Sequence, residues 1–212
     1  MKYEEKKQFG EQIYKGKVVT LSRDTVTLSN GKDTVREIVK HPGGACVVAL
    51  TDNDELLLVN QFRYGAGTEL LELPAGKIDD GENPFFTARR ELAEEVGGTA
   101  EDWTYLGKIY PTPAYNNEIT HLFLATGVQY DEKKQHLDDN ELLDIKRMQF
   151  GKAVRMAVDG GFQDAKTVVG ILRVYSYVHN GYKITEEEII PEDAFAEIET
   201  AEVSKKTAET AE

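Results

Sequence analysis

Between residues 14 and 39 apolar and polar positions alternate, with VVTLS and TVTLS set apart by Arg23-Asp24 and followed by Asn30-Gly31 and TVREIV. A period of two is the signature of a half-buried strand, so the stretch predicts a small antiparallel meander that turns at Arg23-Asp24 and again at Asn30-Gly31. The run HPGGACVVALTDNDELLLVNQFR predicts two more strands, over 45–50 and 56–61, joined by the turn-rich TDND. His41-Pro42-Gly43-Gly44 marks the expected boundary between an N-terminal appendage, 1–42, and a main domain, 43–185. Past it the period changes. Phe85, Ala88, Leu92 and Val96 recur at helical spacing, Asn83 is a good N-cap, Pro84 suits the first helical position, and Gly97-Gly98 supplies the stop. WTYLGKIYPTP and ITHLFLATGVQY predict further strands, and helices over 150–159 and 166–177 complete a layered α/β domain.

Composition narrows the class. Of the 212 residues 40% are hydrophobic and 30% charged, as in ordinary globular proteins, and no apolar run reaches the roughly 18 residues of a membrane span. MKYEEKKQFG lacks the apolar segment of a secretory leader, and Cys46 is the only cysteine, so a reducing, cytoplasmic setting without disulfides is expected. Cys46 itself, inside ACVVAL, is expected to be a small buried residue. The formal net charge is −13, of which −8 falls after residue 185, where ten acidic residues meet only Lys205 and Lys206. That segment, 186–212, is expected to be a solvated acidic tail. No basic stripe is present, which argues against nucleic acid as a partner.

The charge within ELPAGKIDDGENPFFTARRELAEEVGG changes the picture most. Glu91 and Glu95 share a helix face, and Glu94 sits beside them near the helix C-terminus, where both mutual repulsion and the macrodipole oppose carboxylates. Arg90 can pair with Glu94, but Arg89 and Arg90 cannot neutralise every acid in the segment. Two readings are open for such a helix: a face turned to water, or anchorage for a hard divalent cation that prefers oxygen ligands.

Gly76, Glu82, Arg90, Glu91, Leu92, Glu94, Glu95 and Gly97 resemble the Nudix box, in which Gly is followed after five residues by Glu and after seven more by Arg-Glu-aliphatic-x-Glu-Glu-x-Gly. Gly98 departs from it, standing where an aliphatic residue is usual. The resemblance spans roughly residues 14–182. It implies an α/β/α Nudix sandwich with a mixed sheet and a small N-terminal antiparallel β appendage. It also implies an enzyme that hydrolyses a nucleoside diphosphate linked to another moiety with Mg²⁺, or Mn²⁺, held by Glu91, Glu94 and Glu95.

Gln61-Phe62-Arg63, the ELPAGKID stretch, and Pro113 fifteen residues beyond Gly98 resemble the ADP-ribose pyrophosphatase branch. That branch implies the Ala75 carbonyl as a further metal ligand, and ADP-ribose split to AMP and ribose 5-phosphate. Another nucleotide sugar, such as GDP-mannose or ADP-glucose, and a non-catalytic ADP-ribose sensor are the alternatives. Within HLDDNELLDI the resemblance makes Glu141 a metal ligand and Asp139 the base that deprotonates water, or else DDNE is an ordinary acidic turn. Arg63 is expected to reach the diphosphate through a guanidinium suited to paired oxygens. Arg36 is a candidate for the terminal ribose or adenine or an exposed strand residue, and Glu72 and Pro113 complete the substrate-binding candidates. Tyr14, Phe62, Tyr64 and Tyr110 are open between adenine stacking and the core, and the four histidines have no ligand spacing. Members of the branch are homodimers whose N-terminal meander completes the partner's pocket. A 40-residue appendage too small to be stable unaided agrees with that.

Overall fold

The computed structural model describes residues 2–138 and 141–180. The acidic tail and Asp139 lie outside the described residues. At the centre runs β4, Gly44–Leu50, every residue of it buried. Its alternate side chains enter two cores. Ala45, Val47 and Ala49 point to one side, where they meet Phe85, Ala88, Leu92 and Val96 of α1, Pro84–Val96. Cys46, Val48 and Leu50 point to the other, against Ala153, Val154 and Ala157 of α2, Phe150–Val158, and Ile171 and Val174 of α3, Ala165–Asn180. Period two on a strand thus feeds two helix layers, and the result is an α/β/α sandwich.

The remaining strands of this sheet are β5, Glu55–Arg63, β6, Thr68–Glu72, β7, Ala75–Lys77, β9, Asp102–Ile109, β10, Thr120–Thr126, and β12, Leu143–Gln149. The order is β12-β5-β4-β10-β9, with β4 and β10 parallel and the other pairs antiparallel. Two short strands, β8, Gly98–Thr99, and β11, Gln129–Tyr130, pair beyond α1. β4 and β5 stay together only at Ala49↔Leu57 and Leu50↔Leu56, then diverge; β6 follows β5, while β7 takes the vacated edge of β4 at Gly44–Cys46. The sheet forks, and the fork is where the acidic segment lies. β6, in TELLE, and β7, in AGK, carry no legible strand signal because each is defined by its partner and not by its own periodicity.

A separate antiparallel sheet joins β1, Lys6–Lys15, β2, Thr20–Thr27, and β3, Asp33–Lys40. Its first hairpin differs from expectation. Arg23-Asp24 is not a turn but the middle of β2, with Asp24 between Gly10 and Arg36. The turn falls at Gly16, whose N–H donates to the Val19 carbonyl at 2.9 Å. Asp24 is tolerated mid-strand because Lys7 pairs with it at 2.7 Å and Gly10 opposite leaves room that a Cβ would fill. β3 joins the main body through Val39 N–H to the Tyr115 carbonyl, Asn117 N–H to the Val39 carbonyl, and His41 N–H to Asn117 Oδ1, at 2.7, 3.2 and 2.8 Å.

Candidate active site

α1 begins as its sequence predicts. Asn83 Oδ1 accepts from Phe85 N–H at 2.9 Å, Pro84 occupies the first turn, and Gly97 closes the helix at φ 64° with its N–H on the Ala93 carbonyl. From the exposed edge of this helix Arg90 reaches four partners. It grips Glu82 with Nε and Nη2 at 3.0 and 2.9 Å, meets Glu91 at 2.7 Å and Glu94 at 2.9 Å, and donates to the Lys77 carbonyl at 3.1 Å. Thr87 Oγ1 and Asp79 N–H complete Glu82. These bonds, Arg90's foremost, hold the Glu82 carboxyl down to about 2. Arg90 therefore clamps the loop before α1 onto the helix and absorbs much of the repulsion among its glutamates.

Glu91 and Glu95 turn inward, 7% and 3% exposed, which excludes the water-facing reading of this side of the helix. Burial pushes Glu91 up to about 7, with Arg90 opposing and Glu94 and Glu141 adding to the rise. Burial likewise pushes Glu95 up to about 8, reinforced by Glu91 and opposed by the Ala75 amide. That amide donates to Glu95 Oε2 at 2.9 Å, so β7 is tied to the helix. Gly76 lies under Glu91 so closely that a Cβ would overlap its carboxylate. Here glycine is required by close approach, not by backbone angle.

The opposite wall comes from the other branch of the fork. Arg63 and Glu72 form a bidentate pair at 2.8 and 2.9 Å. Glu72 is 1% exposed and also accepts from Lys166. Burial alone would raise its carboxyl, but the two cations outweigh it and the group ends below the usual carboxylate range. Lys166 pairs with Asp164 at 2.9 Å as well. Sequence reasoning missed Lys166 and Asp164; no short motif marks them, since they meet Glu72 only through tertiary packing. The loop that carries Glu141 is pinned to the end of α1, with His136 N–H on the Glu94 carbonyl at 2.9 Å and Gln135 Nε2 on the Glu95 carbonyl at 2.7 Å.

Arg63, Ala75, Glu91, Glu94, Glu95 and Glu141 all line one cleft of about 750 Å³. Glu72 stands behind Arg63 with its carboxylate taken by cations. Arg36 and Pro113 are not among the lining residues; Arg36 lies on β3 and is paired with Glu5 at 2.7 Å, and the neighbouring Pro111 borders the cleft instead. Tyr14, Phe62, Tyr64 and Tyr110 are all exposed, so none belongs to the core. Cys46 is fully buried, as expected, and burial pushes its thiol up.

The donor set suits a hard divalent cation. Two carboxylates are buried with only partial cationic compensation, and more acids, Glu94 and Glu141 among them, line the same space. Among the described residues no three acidic or histidine side chains converge tightly enough to form a ready metal cage, because Arg90 holds Glu91 and Glu94 toward itself.

Comparison with known proteins agrees with this arrangement. The NUDIX domain model matches residues 40–169. ADP-ribose pyrophosphatase of Bacillus subtilis (strain 168) is 41% identical over 168 residues, 79% of this chain and 91% of that protein. Methanol dehydrogenase activator of Bacillus methanolicus is 37% identical over 169 residues, 80% and 91% of the two chains. The crystal structure of an ADP compounds hydrolase superposes with a TM-score of 0.73 at 24% identity, covering 85% of this chain and 97% of that one, a likeness of fold. With the box residues gathered at the fork of the sheet and the family model covering most of the sandwich, the chain belongs to the Nudix family.

Proposed function

We propose that this chain hydrolyses the pyrophosphate bond of ADP-ribose, with a divalent cation, to AMP and ribose 5-phosphate. The observation that carries the reading is the buried Glu91 and Glu95 pair, held against Ala75-Gly76 and facing Arg63 across one cleft. Glu91, Glu94, Glu95, Glu141 and the Ala75 carbonyl would hold Mg²⁺ or Mn²⁺. When bound, the cation offsets the diphosphate's negative charge and acidifies water. Arg63 offers a fixed guanidinium to the phosphate oxygens, and Glu72 keeps it pointed at them. Glu141, or Asp139 outside the described residues, accepts the proton of the attacking water. Arg90 keeps the acidic helix assembled and stays out of the chemistry.

ADP-ribose is the substrate of choice because ELPAGKID and Arg63 frame the cleft as in the ADP-ribose branch, and because a 41% identical relative carries that name. Turnover of a nucleotide-sugar panel tests it: ADP-ribose should lead, and GDP-mannose or ADP-glucose leading by tenfold or more would replace it. We further propose a homodimer formed through the N-terminal sheet. β1 is exposed along its whole length and displays Phe9 and Ile13, while β3 displays Val35, apolar surface that a lone three-stranded sheet leaves uncovered. The appendage, 1–42, would then serve dimerisation and the partner's pocket, with Arg36 placed there to meet substrate.

A further inference from the structure

We infer that Lys166, at the start of α3, is a positioning residue that fixes the direction of the Arg63 guanidinium; the inference rests on the proposed role of Arg63 as the diphosphate-binding group. The geometry forms a chain. Arg63 is about two-fifths exposed and faces the cleft, and the carboxylate that holds it with two parallel bonds, Glu72, is buried. A carboxylate can direct an arginine only if it is itself immobile, and Glu72 ends a strand at the very point where β5 and β6 leave the body of the sheet. Two tethers from α3 immobilise it. Lys166 donates to Glu72 Oε2, the oxygen that also receives Arg63 Nη2. Next to it, Thr167 Oγ1 accepts from Leu73 N–H at 2.9 Å, fastening the following residue of the backbone.

Asp164 sets both tethers. Its Oδ2 accepts from Thr167 N–H and Oγ1 at 3.0 and 2.5 Å and so caps α3, while its Oδ1 pairs with Lys166 at 2.9 Å. The helix start is thereby locked to the strand end, and Gly170 one turn on lets α3 sit against Leu73 with no room for a Cβ. Charge is balanced within the group: two acids, Glu72 and Asp164, and two cations, Arg63 and Lys166. Without Lys166, Glu72 keeps one mobile cation and Asp164 loses its only ion-pair partner among the described residues. Asp164, whose charge Arg63 already feels, then competes with a Glu72 that has lost one of its two cations, and the Arg63 fork is no longer held in one direction. Lys166 holds a single arrangement because its one ammonium bridges both acids at the wall of the cleft, beside Arg63.

The test uses the full-length protein and two readouts. In ¹⁵N spectra the Arg63 Nε–H, identified by its loss in Arg63→Lys, should be a sharp, slowly exchanging signal in the native protein. Lys166→Met should broaden or remove it, and Lys166→Arg should restore it. In steady-state assays with ADP-ribose and Mg²⁺, Lys166→Met should lower kcat/KM by about tenfold or more. Arg63→Ala with Lys166→Met should be no worse than Arg63→Ala alone, the non-additivity of residues acting as a unit. If Lys166→Met does not fold, Asp164→Asn keeps the helix cap and removes one of the two ion-pair partners of Lys166, and it should show the same signal loss in part. A native-like Arg63 signal in Lys166→Met, or in Asp164→Asn where Lys166→Met does not fold, or multiplicative losses in the double variant, overturns the inference. Loss of the signal in a protein that does not turn over ADP-ribose upholds the positioning role and refutes the substrate.

Discussion

Single residues set the character of the cleft, and Glu95 shows how. Its folded carboxyl titrates at about 8, far above the ordinary value near 4.5. A raised carboxyl pKa means that the folded protein binds more protons than the unfolded one between these limits, so stability falls as pH rises through the window. Chemical denaturation in the presence of a chelator should therefore show a less stable protein at pH 8.5 than at pH 6, and Mg²⁺ should recover more of the loss at the higher pH, where its ligands are ionised. Glu95→Gln should reverse both effects: stability without divalent ions equal to or above the native protein at pH 8.5, and turnover down by at least a hundredfold. A variant with full activity removes Glu95 from the site. Gly76→Ala is a complementary case, because the added methyl displaces Glu91 and should abolish activity while far-ultraviolet circular dichroism stays native. The residue types of this site were legible in the chain, since box spacing specifies Glu91 and Glu95 by number. Their burial was not, because how deep a helix face lies depends on what packs over it.

At the scale of elements, the caps and the clamp decide whether the acidic helix forms where it is needed. Asn83→Ala should cost about 1 kcal/mol of stability, the usual worth of an N-cap, measured by urea denaturation. Gly97 is more constrained, with φ 64° and the Asp131 carbonyl where a Cβ would go. Gly97→Ala should cost more than Asn83→Ala and should also lower activity, because the loop leading to Glu141 hangs from the same helix end; hydrogen exchange at Gln135 and His136 reports that movement. Glu82, held down to about 2 by Arg90, stabilises the fold above the ordinary carboxyl value, and that contribution disappears as pH falls through 4.5 toward 2. Glu82→Gln should accordingly be less stable than the native protein at pH 6 and no less stable at pH 2. α1, β4, β5, α2 and α3 were readable because each has its own period. β6 and β7 were not, and the first hairpin was misplaced because Asp24 owes its strand position to Lys7 and Gly10, residues remote in the sequence.

For the whole molecule, the apolar residues left outside on β1 and β3 bear on assembly. Sedimentation should give twice the 23.7 kDa chain mass, and Phe9→Glu with Val35→Glu should give the single mass with reduced turnover. A native protein that sediments as one chain refutes the dimer. What the sequence by itself determined is the layered α/β class, the capped acidic helix and the box spacing of its glutamates, because these rest on periodicity and on residues within one or two turns of each other. Only the tertiary structure decided that β4 and β5 part to open the cleft, that Arg90 is spent on the helix while Arg63 faces the cleft, and that Lys166 and Asp164 line the same cleft, with Lys166 holding Glu72 behind Arg63. The tie of Lys166 to Glu72 joins residues 94 positions apart, and its energy arises only when packing has removed water from between them.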